Sequence, residues 1–177
     1  MTSSERILIA GIGNIFLGDD AFGSEVARRM MSRPLPEGVR VVDYGIRGLD
    51  LAYALLDDRD STILVDAVPR GGPPGTLYVI EPDPIGVDEL SPADAVIEAH
   101  GLDPMRVLRM AAAMGGRPRR VLVVGCEPVT LGSDEDPAMG LSPPVEAAVD
   151  EAILLIDSLV ERLLAGHEAL ITSAIPG

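Results

Sequence analysis

The stretch RILIAGIGNIFLGDDAFGSEVARRMMSR, residues Arg6–Arg33, decides the fold. Its first six residues form an apolar run bounded by charge and glycine, as a strand buried on both faces does. From Asp19 onward Val26, Ala27 and Met30 share one face of a helix, and Asp19 stands where an N-cap belongs. A glycine turn between strand and helix is ordinarily a phosphate cradle, and a dinucleotide site asks for Gly-x-Gly-x-x-Gly. Here Gly11 and Gly13 fit, but Phe16 fills the third place and no P-loop lysine follows. Asp19 and Asp20 at the helix start would repel a pyrophosphate. The glycines therefore read as permitting a tight turn rather than as binding a nucleotide.

The strand-then-helix unit recurs along the chain. Residues 39–45 (VRVVDYG), 61–68 (STILVDAV) and 120–127 (RVLVVGCE) are further short runs rich in Val, Ile and Leu. Helical patterns fall between and after them at 48–58, 102–116 and 142–166. In the last of these, Ser142 suits the cap, Pro143 the first turn and Gly166 the close. Val145, Val149, Ile153, Ile156 and Val160 mark its buried stripe. Alternation of this kind predicts a doubly wound α/β sandwich, three layers with a mainly parallel sheet and helices on both faces. Residues 75–82 (GTLYVIEP) are expected to add an edge strand, read as antiparallel, inside a long Pro/Gly/Asp-rich connection over 70–101. Connections of that length are often functional. Residues 1–166 read as a single domain and 167–177 as a tail with no assigned element.

Composition narrows the function classes. The chain has 177 residues, 47% of them hydrophobic, which is enough for one sizeable core. Aromatic residues make up only 3% and Trp is absent, so that core must be aliphatic. A formal net charge of -14 argues against nucleic acid and anionic membranes as partners. No run approaches a membrane span, and the N-terminal MTSSER lacks the basic region of a signal peptide. One cysteine, Cys126, excludes an internal disulfide and suits the cytoplasm.

Ligands of such folds sit beyond the carboxyl ends of the strands. Those ends carry Asn14, Asp19 and Asp20, then Asp43, then Asp66, then Cys126 and Glu127. Converging carboxylates suit a cation, and with an imidazole they make a site acceptable to zinc, nickel, manganese or iron. Of the two histidines, His167 lies in the tail, whereas His100 lies just before the third helix. A helix reached from this side starts near the same sheet edge, which sets His100 beside Asp20 and Asp66. Two carboxylates and one imidazole would leave coordination positions open, as a working site needs. Each residue also has an ordinary explanation: Asp19 or Asp20 as a helix cap, Asp43 and Asp66 as acceptors of turn amides.

GIGNIFLGDDAFG, DYGIRG, VDA and the AHG before a helix, in this order, resemble the hydrogenase maturation endopeptidases, and GLSPPVEAAV before the last helix extends the likeness. The resemblance implies a twisted five-stranded sheet. It also implies removal of a C-terminal peptide from the large-subunit precursor of a nickel–iron hydrogenase, after nickel insertion. That precursor would be the partner, and the nickel would arrive with it. The residues implied to sense the nickel are Asp20, Asp66 and His100, and the family's Asp-Gly-Gly-Thr-type motif falls on Asp43 to Gly48. Many members carry Glu where Asp20 stands, one methylene longer. Tyr44, Ile46 and Arg47 also depart from the second motif, and Arg47 is available to pair with Asp43 or with a substrate carboxylate.

No Ser/His/Asp set or GxSxG serine is present, and Cys126 has no histidine beside it in sequence, which disfavours covalent catalysis. With the resemblance, the expected catalytic group is Asp20, Asp43, Asp66 and His100, with Asp43 or another site carboxylate assisting water attack. Two rivals remain at this level: a hydrolase holding its own zinc, and a nickel-sensing chaperone or scaffold that binds the precursor without cutting.

Overall fold

Side chains that alternate in sequence are sorted to the two faces of one sheet. The computed structural model describes residues 6–82, 103–132, 135 and 138–166. Within them the apolar runs form β1 (Ile7–Ile12), β2 (Val39–Gly45), β3 (Ser61–Ala67), β4 (Leu77–Ile80) and β5 (Val121–Cys126). The strand order is β2-β1-β3-β5-β4. All neighbours run parallel except β4, which pairs antiparallel with β5 through Tyr78 opposite Gly125 and Leu77 opposite Cys126. The expected edge strand is therefore present, and the sheet has the five strands that the resemblance implied.

Among the described residues four helices cover the sheet: α1 (Phe22–Met31), α2 (Gly48–Ala54), α3 (Pro104–Ala113) and α4 (Pro143–Leu164). Ile7, Ile9, Ile63, Val65, Leu122 and Val124 pack with Phe22, Val26 and Met30 of α1 and Val145, Val149 and Ile156 of α4. The intervening residues Leu8, Ala10, Ile12, Leu64 and Val123 pack with Leu51 of α2 and Val107 and Leu108 of α3. Every residue of β1 and β3 is buried, which is why β1 is an unbroken apolar run and β3 has one at its centre, Ile63–Val65. Arg29 ties α1 to α4 by bonding Glu25 on its own helix and both Glu146 and Asp150 across the gap.

Two glycines set the distance between α1 and the sheet. A Cβ on Gly23 would lie 2.0 Å from the Val65 carbonyl oxygen and 2.3 Å from that of Ile12. One on Gly11 would lie 2.4 Å from the Gly23 oxygen and 2.6 Å from the Ala27 Cβ. The helix thus rests on the strand backbones with no side chain between.

The ends of several helices differ from the sequence expectation. No side chain caps α1: a 3-10 turn at Gly18–Ala21 leads into it, and neither Asp19 nor Asp20 acts as its N-cap. Ser142 occupies the N-cap position of α4 without a capping bond, its hydroxyl being turned elsewhere. Along α4 the buried stripe matches, except that Ile153 is only half-buried. The second helix stops at Ala54 instead of reaching Asp58. Asp57, Asp58 and Asp60 are poor helix formers, and here they pair with Arg59, Arg119 and Arg6. The third helix behaves as its sequence suggests, with Pro104 in the first turn and the Asp103 side chain accepting the Arg106 N–H at 2.9 Å. Most of the 70–101 connection and the tail from 167 lie outside the described residues. Among the described residues no helix is long and apolar enough to cross a membrane.

Candidate active site

From β1 the chain moves to β2 on one side of it, then crosses back to β3 on the other. That reversal opens a crevice beyond the carboxyl ends of β1 and β3, the place where doubly wound folds bind ligands. Asp20 follows β1 and Asp66 lies in the last turn of pleat of β3, so the two carboxylates flank this crevice.

Gly13 accounts for the approach of Asp20. Its φ is +153°, and a Cβ there would come within 2.0 Å of the Asp20 carbonyl oxygen. The glycine turn therefore folds an acidic 3-10 turn back over the strand end, which explains why glycines and aspartates share one motif. The Asn14 N–H donates to Asp20 Oδ2 at 2.9 Å. The Ala67 N–H donates to Asp66 Oδ1 at 2.9 Å. Among the described residues the second oxygen of each, Asp20 Oδ1 and Asp66 Oδ2, accepts no hydrogen bond, which leaves it available to a cation.

The electrostatics agree with that role. Burial raises the pKa of the Asp20 carboxyl, against the opposing Asn14 N–H. Asp66 is only 3% exposed, and burial holds its carboxyl well above the usual aspartate range. The Asp20 charge adds to that rise, as does Asp103 at the start of α3, while the Ala67 N–H opposes it. Buried acids at elevated pKa mark a site built to receive positive charge or to move protons. Among the described residues no three His, Cys, Asp or Glu side chains come together as a metal-holding group. The predicted third ligand, His100, lies outside the described residues, as does His167.

Asp43 sits at the end of β2, next to the crevice. Its Oδ1 accepts the Ser24 hydroxyl at 2.8 Å and the Gly45 N–H at 2.9 Å, while among the described residues Oδ2 accepts none. The ordinary role as acceptor of a turn amide is thus real, and it leaves one oxygen uncommitted. Arg47 does not pair with the Asp43 carboxylate as the sequence allowed. It donates to the Asp43 backbone oxygen at 2.7 Å and lies 3.5 Å from the Asp50 carboxylate, because its side chain runs back along the turn over the Tyr44 ring.

Two further acids hold the surrounding loops. Asp19, 1% exposed, accepts the Ser142 N–H on Oδ1 at 2.7 Å, and on Oδ2 the Ser142 hydroxyl at 2.9 Å and the Val129 N–H at 2.8 Å. It fastens the β5–α4 connection to the turn that carries Asp20. Glu127 accepts the backbone N–H of Arg70 at 2.8 Å and of Gly71 at 3.0 Å, and the Tyr78 hydroxyl at 2.8 Å. Burial pushes its carboxyl up, but these donors outweigh it and leave the pKa lowered. Cys126 is buried, and burial, with Asp19 and Glu127 nearby, pushes its thiol up to about 12. It is therefore no nucleophile at neutral pH.

Ser24 and Asp103 were not singled out by sequence reasoning. Ser24 meets Asp43 across 19 positions, and Asp103 acts on Asp66 across a sheet edge. Neither has a local signal, because only the strand order brings them in. Asp19 had one, its place in the acidic pair, but the pair does not show which acid is buried.

Comparison with known proteins matches this architecture. The family model described as hydrogenase maturation protease covers residues 24–158. The hydrogenase 2 maturation protease of Escherichia coli K12 is 33% identical over 175 residues, spanning 97% of this chain and 96% of that one. A solved hydrogenase 2 maturation peptidase from Thaumarchaeota archaeon SCGC_AB-539-E09 superposes with a TM-score of 0.66 at 34% identity, covering 88% of this chain and 98% of its own. The hydrogenase maturating endopeptidase HybD from Escherichia coli superposes with a TM-score of 0.68 at 27% identity, covering 89% and 93% respectively.

Proposed function

The chain belongs to the hydrogenase maturation protease family, and on that premise we propose that it is an endopeptidase that removes the C-terminal peptide of a nickel–iron hydrogenase large-subunit precursor, acting after nickel insertion. The observation that carries this is the pair Asp20 and Asp66. Buried Asp66 and half-buried Asp20 flank one crevice, near enough for the Asp20 charge to act on Asp66, and among the described residues each has one oxygen tied by a backbone N–H and the other uncommitted. Carboxylates held in this way are costly to ionise unless a cation arrives. A nickel ion already bound to the precursor supplies that charge, so only a loaded precursor is seated well.

His100 would be the third ligand. Its support is that Asp103, three residues on, stands close enough to raise the Asp66 pKa. The ion would be held by oxygen and imidazole donors on one side and by the precursor on the other, a borderline set that suits nickel. With the tail so positioned, the uncommitted Oδ2 of Asp43 takes a proton from water as that water attacks the scissile carbonyl. The proton passes to the departing amide nitrogen as the bond breaks. Ser24 and the Gly45 N–H fix Asp43 Oδ1 and so aim Oδ2. The high pKa of Cys126 supports hydrolysis without an acyl-enzyme. The single cysteine, which leaves no internal disulfide, supports action in the cytoplasm.

The test is intact-mass measurement of a nickel-loaded precursor after incubation. Wild type is expected to shorten it, and Asp20→Asn to leave it whole. Wild-type rate in Asp20→Asn would refute the role of the pair. An intact tail with wild type, together with stable complex formation, would point to a scaffold instead. Tightly held zinc in the purified protein would point to a self-sufficient metallohydrolase.

A further inference from the structure

Soluble proteins scatter exposed apolar side chains, whereas a gathering of them marks a contact surface. Of ten large apolar side chains exposed among the described residues, six lie just beyond the carboxyl ends of β1, β2 and β5. They are Ile15, Phe16, Ile46, Leu49, Val129 and Met139. Phe16 is 57% exposed, Ile46 66% and Met139 72%. The chain has only two phenylalanines, and it leaves one of them on this edge.

The loops that carry these residues are joined by backbone bonds into one rim. The Gly13 N–H donates to the Gly45 oxygen at 3.0 Å, linking the β1 and β2 loops. The Gly18 N–H donates to the Ala138 oxygen at 2.7 Å and the Ala138 N–H to the Phe16 oxygen at 3.0 Å, linking the β1 loop to the β5 connection. Asp19, through Val129 and Ser142, pins that connection from within. The rim is therefore supported by the same scaffold that holds Asp20. From β2 to β5 it crosses three strand spacings, about 14 Å at roughly 4.8 Å each. That is wider than one residue of an extended tail needs.

We propose that this rim docks the folded body of the large-subunit precursor through apolar contact, so that the protease recognises a protein surface in addition to the tail it cuts. The inference rests on the endopeptidase function proposed above and names how its substrate is held. Two features identify the occupant. The rim surrounds the crevice that must receive the tail, so any protein whose tail reaches Asp20 and Asp66 necessarily faces it. Its chemistry, aromatic, Met and branched aliphatic, selects an apolar patch over a charged one. Charge steering would be screened by salt, and apolar docking would not.

The experiment uses nickel-loaded precursor with wild type, Phe16→Ser, Met139→Ser and the double variant. Precursor affinity by calorimetry and tail removal by intact mass are read on the same samples. Docking on the rim predicts a rise in Kd and KM of about tenfold in the double variant, with kcat at saturation unchanged and the thermal midpoint unmoved. It also predicts that the mature subunit, which lacks the tail, inhibits wild type competitively and the double variant more weakly. An unchanged Kd in the double variant would overturn the proposal, as would a Kd that climbs steeply with added salt. If wild type binds the precursor but never shortens it, the endopeptidase function fails while the docking result stands.

Discussion

Asp19 and Ser142 are 123 positions apart, yet one carboxylate takes both the N–H and the hydroxyl of that serine, at 2.7 and 2.9 Å. With the Val129 N–H added, Asp19 satisfies three donors from inside the protein. The acid therefore spans the turn that carries Asp20, the β5 connection and the start of α4. Asp19→Ala would remove the acceptor of all three donors from a carboxylate that is 1% exposed, a loss of about 3 kcal/mol. At this chain length that is roughly 6–12 °C in thermal midpoint. Asp19→Asn keeps the size but turns an NH2 toward at least one N–H, so it should fall between wild type and Asp19→Ala. A melt of Asp19→Ala within 2 °C of wild type would show that the fastening is dispensable.

The second prediction concerns pH. Asp66 has a folded pKa raised by burial and by Asp20, so the charged form is disfavoured in the fold. The unfolded value is about 3.9. Between that value and the raised folded one, the native state holds a proton that the unfolded chain releases. Stability from this group is then lost as pH rises through the folded pKa, and regained on acidification. Asp66→Asn removes the penalty and should melt higher than wild type at neutral pH, each 1 kcal/mol gained appearing as about 2–4 °C. The gain should shrink as pH falls. The proposed ligand role predicts that tail removal is lost in the same variant, because the negative charge offered to the ion is replaced by a neutral amide. In wild type, activity should decline on acidification at a higher pH than an ordinary aspartate would give, since the ion competes with a tightly held proton. An Asp66→Asn protein that melts lower than wild type at neutral pH would contradict this.

Cys126 supplies the third. Its thiol, pushed up to about 12 and buried, carries almost no thiolate at neutral pH. Iodoacetamide should therefore leave the native enzyme active, and Cys126→Ala should process precursor at close to the wild-type rate with a small loss of stability. Rapid inactivation by the reagent, coupled to a single alkylation at Cys126, would reopen covalent catalysis.

Much of this was legible in the sequence, for local reasons. Apolar runs such as Ile7–Gly11 and Ser61–Ala67 have no other stable place than a sheet covered on both faces, so the order of strands and helices followed from them. Asp43 and Asp66 stood out because each lies near the carboxyl end of its strand, and Asp20 because it follows β1 through the glycine turn. What escaped depends on contacts between distant segments. Asp19 and Ser142 both looked like side-chain helix caps, and neither side chain caps a helix, because each finds a better partner in the other. Arg47 looked like a partner for the Asp43 side chain, yet its turn brings the backbone oxygen nearer. Whether His100 joins the pair rests on a segment outside the described residues.

The last prediction separates close packing from backbone strain, using two glycines. At Gly23 the φ is ordinary for a helix, but an added Cβ would meet the Val65 and Ile12 oxygens at 2.0 and 2.3 Å. Both are backbone atoms of central strands, so neither can step aside. At Gly115 nothing lies within 4 Å of an added Cβ, but φ is +85°. There the cost is the left-handed conformation alone, about 1–2 kcal/mol. Gly115→Ala should thus fold, melt roughly 2–8 °C lower and keep its activity. Gly23→Ala must push α1 off the sheet, costing about 4 kcal/mol or more. Because Val65 precedes Asp66, the shift would also spread the crevice, and whatever protein folds should bind precursor poorly. Equal losses in the two variants would mean that the contact of α1 with β1 and β3 does not set the geometry of the site.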